Sequence, residues 1–175
     1  YYGDEIGMED VPIPPDRVQD PWERNIPGLG LGRDPERTPM QWDDSPNAGF
    51  TTGTPWLPLA ADRQAVNVAA ERRDAGSLLH FYRRLIALRR SEPALAVGAY
   101  APVAAEGDLV AYVRKHGARR FLIVLNLGSR PAALEMPVEA SRGRIVLSTH
   151  LDRDGEQTGA TLSLRGDEGV VVALA

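Results

Sequence analysis

Arg33 and Arg37 stand four residues apart with Asp34 and Glu36 between them, so two fixed positive charges and two carboxylates fall in one short stretch. A guanidinium offers a planar fork of donors that can hold a carboxylate or adjacent sugar hydroxyls in a defined plane. Two such forks on one loop can address a single polar ligand. The same residues fit a second reading, a salt-bridge cluster that stiffens the loop, and spacing does not choose between the two. The surrounding segment, Arg33 to Thr51, has neither helical nor strand periodicity, yet it includes Trp42 and Phe50. Such aromatics are foreign to a simple linker, which makes the segment an ordered loop around a polar site.

Other groups carry weaker signals. Asp4 and Glu5, with Glu9 and Asp10 just beyond, offer paired carboxylates of the type general acid and base catalysis uses. They fit equally well as solvated turn residues or as partners for the loop arginines. Gly28-Leu29-Gly30-Leu31-Gly32 follows Pro27 rather than a strand and runs into Arg33-Asp34-Pro35 rather than a helix, so it reads as flexible loop and not as a phosphate cradle. His80, His116 and His150 show no metal-ligand spacing.

Composition narrows the function class. The chain has 175 residues, 43% hydrophobic and 25% charged, with a net charge of -4. Scattered signs and a negative balance argue against nucleic acid as a partner, since phosphate-backbone binders concentrate Lys and Arg on one face. No run approaches the roughly 20 apolar residues that cross a bilayer, so no membrane partner is expected. Cys is absent, which excludes disulfides and thiolate metal sites, and a reducing cytoplasm suits a chain that needs no such staples.

The elements that position these groups follow from local pattern. Tyr1-Tyr2-Gly3-Asp4-Glu5-Ile6-Gly7-Met8 reads as the end of a strand turning into a site, from a longer protein. Residues 9–76 carry most of the prolines, which limits helix to a turn or two near Asp16 to Arg24. Trp22, Trp42, Phe50 and Trp56 there favour a packed, ordered loop. From Ser77, a natural N-cap, Leu78, Phe81, Tyr82, Leu85, Ile86 and Leu88 recur at helical spacing until Glu92-Pro93 stops the run. Beyond it come seven short apolar or alternating runs, at 97–103, 109–115, 119–127, 132–137, 144–149, 161–164 and 170–174. They predict an antiparallel β-sandwich of about 80 residues.

Several ordered blocks then converge. Residues 2–8, Arg33-Asp34 through Trp42-Asp43, Asn47-Ala48-Gly49-Phe50, Pro55-Trp56-Leu57-Pro58, Val66-Asn67-Val68 and the helix from Ser77 together resemble glycoside hydrolase family 13, in its α-glucosidase and oligo-1,6-glucosidase branch. The resemblance implies an α/β part followed by an all-β part. Residues 1–95 would be the C-terminal end of a (β/α)8 barrel, comprising its last strand, the long active-face loop and the last helix. Residues 96–175 would be the C-terminal antiparallel β domain. Barrel enzymes hold their chemistry at the carboxyl ends of the strands, which places the loop after Met8 on the active face.

By this resemblance Arg33 matches an arginine that holds the hydroxyls of the non-reducing glucose. Arg37 matches a second arginine that braces the loop, and Asp10, with Glu9 as its rival, matches an acidic residue that contacts the next sugar. The family's retaining mechanism uses an aspartate nucleophile, a glutamate acid/base and a transition-state aspartate. All three belong to strands upstream of this chain, so no catalytic residue is assigned here and the chain by itself is expected to be inactive. No cofactor and no metal ligand is implied. The expected partners are an oligosaccharide substrate and the rest of the chain's own barrel. The function expected of the whole protein is hydrolysis of α-1,4 or α-1,6 glucosidic bonds. Trehalose synthase or sucrose isomerase chemistry, and a non-catalytic scaffold role, are the alternatives.

Overall fold

The computed structural model describes residues 1–136 and 142–175, and the chain divides into two compact units, Tyr1–Tyr82 and Arg83–Ala175. Pro137, the last residue expected in the fourth strand, lies outside the described residues.

The first unit is mostly irregular backbone. Residues 1–8 correct the expected strand, because they form a 3-10 turn over Asp4–Ile6. A strand needs a neighbour to receive its amides, whereas here Ile6 and Met8 donate back to the Gly3 carbonyl at 3.1 and 3.0 Å and Gly7 donates to Asp4 at 3.2 Å. Gly3, at φ 95°, opens the reversal, and a Cβ there would lie 2.7 Å from the Met8 sulfur. Further 3-10 turns begin on prolines at Pro15–Arg17, Pro35–Arg37 and Pro46–Gly49. Two short helices interrupt the loop, α1 (Pro21–Asn25) and α2 (Val68–Glu71), capped by the side chains of Asp20 and Asn67 respectively. The apolar cluster is small: Ile6, Met40 and Val68, with Met8 and Leu79 against it.

Within these 175 residues the aromatics expected to pack this loop remain exposed. Trp42 and Phe50 are 49% and 46% exposed, and Trp22 and Trp56 are exposed as well. Buried polar side chains order the loop instead, among them Asp20, Asp34, Thr38, Gln41 and Asn67. Gln41 donates through its side-chain Nε2 to the Val66 carbonyl, and its backbone carbonyl accepts from the Val68 amide at 3.0 Å. The Phe50 end is fixed by three consecutive left-handed residues, Asn47, Ala48 and Gly49, with the Asn47 amide donating to Thr51 and Gly53 carbonyls at 3.1 and 2.8 Å.

Helix α3 (Leu78–Ser91) forms where the three-four spacing places it. Ser77 caps it as expected, its hydroxyl accepting from the His80 amide at 3.4 Å. None of its residues is buried, so the apolar stripe remains partly open. After Glu92 a short α4 (Pro93–Val97) starts on the proline that ends α3.

The β region is the sandwich expected from the alternation. Strands β1 (Ala99–Val103), β2 (Leu109–His116), β3 (Arg119–Asn126), β5 (Gly143–Ser148), β6 (Gln157–Thr158) and β8 (Gly169–Leu174) form one antiparallel sheet in the order β1-β2-β3-β8-β5-β6. Strands β4 (Ala132–Glu135) and β7 (Thr161–Leu164) form the second. Alternate residues fill the core: Leu109 and Ala111, Leu122 and Val124, Leu134, Leu162 and Leu164, Val170 and Val172. A bulge in β5 between Ile145 and Leu147 pairs these residues with Val172 and Val171, which lie on opposite faces. The other face of β3 is covered too, because Phe121 and Ile123 are buried and α4 packs on β2 and β3.

Candidate substrate-binding site

The two arginines singled out in the sequence do meet, and the group that joins them is Asp20. Arg33 Nε lies 3.1 Å from Asp20 Oδ2 and Arg37 Nη2 lies 2.5 Å from the same oxygen. Arg37 also donates through Nε to the Arg33 carbonyl at 3.1 Å. Asp20 has a fully buried side chain, and its other oxygen accepts the Trp22 amide at 2.9 Å. Burial opposes its ionisation, but the Trp22 amide and the Arg33 guanidinium outweigh that cost and hold its pKa below the ordinary carboxylate value.

The intervening carboxylates do not pair with the arginines, which corrects the self-contained cluster that their spacing allowed. Asp34 is buried and turns toward the backbone, where one oxygen accepts the Gln19 and Asp20 amides at 2.6 and 2.8 Å. Asp34 thus fixes the backbone of Asp20, and Asp20 in turn fixes the guanidiniums. Glu36 faces two adjoining clefts, of about 820 Å3 and about 350 Å3.

The two arginines differ in what they have left to offer. Arg37 spends Nε and Nη2 on the protein, and its side chain is 33% exposed. Arg33 spends only Nε, its side chain is 55% exposed, and its terminal nitrogens have no partner among the described residues. Arg33 therefore presents an open fork, while Arg37 is a strut. Tyr2 donates its hydroxyl to the Thr38 carbonyl at 2.7 Å, and burial raises its pKa.

Asp10 is not brought to either arginine. It is exposed and lines both clefts, with Asp16, Glu23 and Arg24 in the larger and Tyr1, Tyr2 and Glu9 in the smaller. Glu9 shares only the smaller cleft, so the two rivals for one role differ in what they face. Asp4 and Glu5 serve the turn: Glu5 accepts the Gly3 amide at 2.8 Å through its side chain, and the Asp4 backbone carbonyl accepts the Gly7 amide at 3.2 Å.

Asp20 is the residue that the sequence reasoning missed. It lies 13 and 17 positions before its two partners, across a glycine-rich stretch with no periodicity to bridge them. A local signal exists in Asp20-Pro21-Trp22, an N-cap aspartate before a proline at the first helical position.

Comparison with known proteins adds an independent line. Residues 1–98 match the family described as the α-amylase catalytic domain, and residues 96–172 match a domain of unknown function, DUF3459. A probable α-glucosidase of Rhizobium meliloti is 34% identical over 157 residues, covering 88% of this chain and 28% of that protein. An oligo-1,6-glucosidase of Parageobacillus thermoglucosidasius is 34% identical over 156 residues, covering 78% of this chain and 28% of its own length. The chain thus spans less than a third of these relatives. Among solved structures, trehalulose synthase MutB from Pseudomonas mesoacidophila superposes with a TM-score of 0.85 at 29% identity, over 99% of this chain and 34% of the other. The α-glucosyl transfer enzyme XgtA superposes with a TM-score of 0.85 at 34% identity, over 100% and 32%.

Proposed function

We propose, for a chain that belongs to the α-amylase family and whose first part is the C-terminal end of a (β/α)8 barrel, that it supplies one wall of a glucose subsite in a retaining α-glucosidase. The observation that carries this reading is the open fork of Arg33, held at one nitrogen by buried Asp20 and, among the described residues, free at the other two. A planar pair of donors at fixed spacing suits the vicinal hydroxyls of a sugar, and it keeps its charge at any working pH. Arg37 braces that fork, and Asp10 reaches the sugar that follows through the cleft it lines. We place the division between barrel and β domain at residues 95 and 96.

The chemistry is divided accordingly. Residues of this chain bind and orient the sugar. Bond cleavage, through a glucosyl-enzyme intermediate, belongs to carboxylates of the preceding barrel strands, so the 175-residue chain alone is inactive. The substrate is a short oligosaccharide joined by α-1,4 or α-1,6 bonds, and the protein works in the cytoplasm. No helix among the described residues is long and apolar enough to cross a membrane.

A second reading, rearrangement of a disaccharide, draws support from the likeness to trehalulose synthase. Incubating the full-length protein with maltose, isomaltose and sucrose and analysing the products separates the two. Free glucose from the first two supports hydrolysis, and a rearranged disaccharide without net hydrolysis would replace it with isomerisation. Absence of turnover on all three would refute the glucosidase reading and leave a scaffold role.

A further inference from the structure

We infer that Asp20 is a positioning residue for sugar binding, one that aims the Arg33 fork and without which the fork loses its fixed plane. The inference rests on the proposed contact between Arg33 and glucose. Among the described residues, Asp20 is the only carboxylate that touches either guanidinium of the pair. It binds Arg33 through Nε, which leaves both terminal nitrogens without a partner among the described residues, and it holds Arg37 through Nη2. Arg37 then closes the triangle by donating to the Arg33 carbonyl. An exposed arginine ordinarily samples many rotamers. Here one end of the guanidinium is tied to a side chain that is itself buried and capped onto α1.

Asp34 supplies an internal comparison. It is equally buried and braces the same turn, but its partners are backbone amides and not guanidiniums. A residue that only stabilises the loop should behave like Asp34, and a residue that aims Arg33 should not.

The test is a double-mutant cycle in the full-length protein, read as kcat/KM on an aryl α-glucoside with thermal unfolding alongside. Misplacing a binding group by about 1 Å can cost on the order of 100-fold. Asp20→Asn keeps the cap acceptor for Trp22 but removes the charge, and it should lower kcat/KM by at least about tenfold, within that limit. In the Arg33→Ala background the same change should have little further effect, because the fork it aims is gone. Asp34→Asn acts on Asp20 only through its backbone, so it should lower the melting temperature and lower kcat/KM less than Asp20→Asn does.

Several results would overturn the proposal. One is wild-type kcat/KM in Asp20→Asn beside an impaired Arg33→Ala, and another is a double variant impaired by the product of the two single effects. Equal losses in Asp34→Asn and Asp20→Asn would reduce Asp20 to a loop brace. An unimpaired Arg33→Ala would instead remove the sugar contact itself, and the proposal with it. If Asp20→Asn does not fold, Asp20→Ser retains a cap oxygen and repeats the comparison. Failure of both to fold makes Asp20 a folding residue and ends the proposal.

Discussion

Glu168 gives the sharpest stability test, because its side chain is fully buried in the second unit and joins two loops by charge. One oxygen receives Arg165 Nη2 at 2.7 Å, and the other receives the Arg165 amide at 2.8 Å and Arg153 Nη1 at 3.2 Å. Replacing Glu168 by Ala strands Arg153, which is only 15% exposed, more than Arg165, which is 45% exposed and can turn to water. Breaking a buried pair costs about 3–5 kcal/mol. Both arginines keep another carboxylate, Glu156 for Arg153 and Asp152 for Arg165, so the loss belongs at the lower end, about 3 kcal/mol. For a domain of this size that is a fall of roughly 12–24 °C in Tm. Thermal unfolding followed by far-UV circular dichroism reads the loss. A fall worth less than about 1 kcal/mol, the size of an exposed ion pair, would refute the claim that this network is buried and coupled.

Three further outcomes follow from particular contacts. Gly49→Ala must hold φ 66° and bring a Cβ to 2.9 Å from the Asp43 carboxylate, so it should cost about 1–3 kcal/mol in urea unfolding, and an unchanged midpoint would contradict the loop geometry. Arg165 holds Asp152 down to about 2, so the folded state gains from this group at pH above its unfolded value and loses that gain as pH falls toward 2. Tm measured from pH 6 to 2 should therefore drop less steeply below about pH 4 in Asp152→Asn than in the unaltered protein, and parallel curves would contradict the assignment. Leu122→Ala empties a fully buried site between the two sheets and should cost about 2–5 kcal/mol by denaturant unfolding, whereas a cost under about 1 would show that the core collapses around it.

The β unit was the most legible part of the chain, for a physical reason. Leu109, Ala111 and Val113 alternate with outward residues because one face of β2 meets a core, and that period of two is printed in the sequence. Strand β6 has only Gln157 and Thr158, too short to carry a period. At residues 1–8, aromatic residues beside glycine suit a strand edge as well as a left-handed reversal, and backbone pairing decides between them. At the candidate site, Arg33 and Arg37 do come together, but their orientation is not legible in their spacing. It depends on Asp20, a contact between distant positions that no local pattern encodes.

The open fork of Arg33 is proposed to hold a glucose unit. The measurement that tests it most directly is kcat/KM of the full-length protein and its Arg33→Ala variant on an aryl α-glucoside, with Arg37→Ala beside it. Losing two charge-assisted hydrogen bonds of about 1.5–3 kcal/mol each predicts a fall on the order of 100-fold or more for Arg33→Ala. Arg37→Ala should lose stability first. A folded Arg33→Ala protein with unchanged kcat/KM would contradict the account.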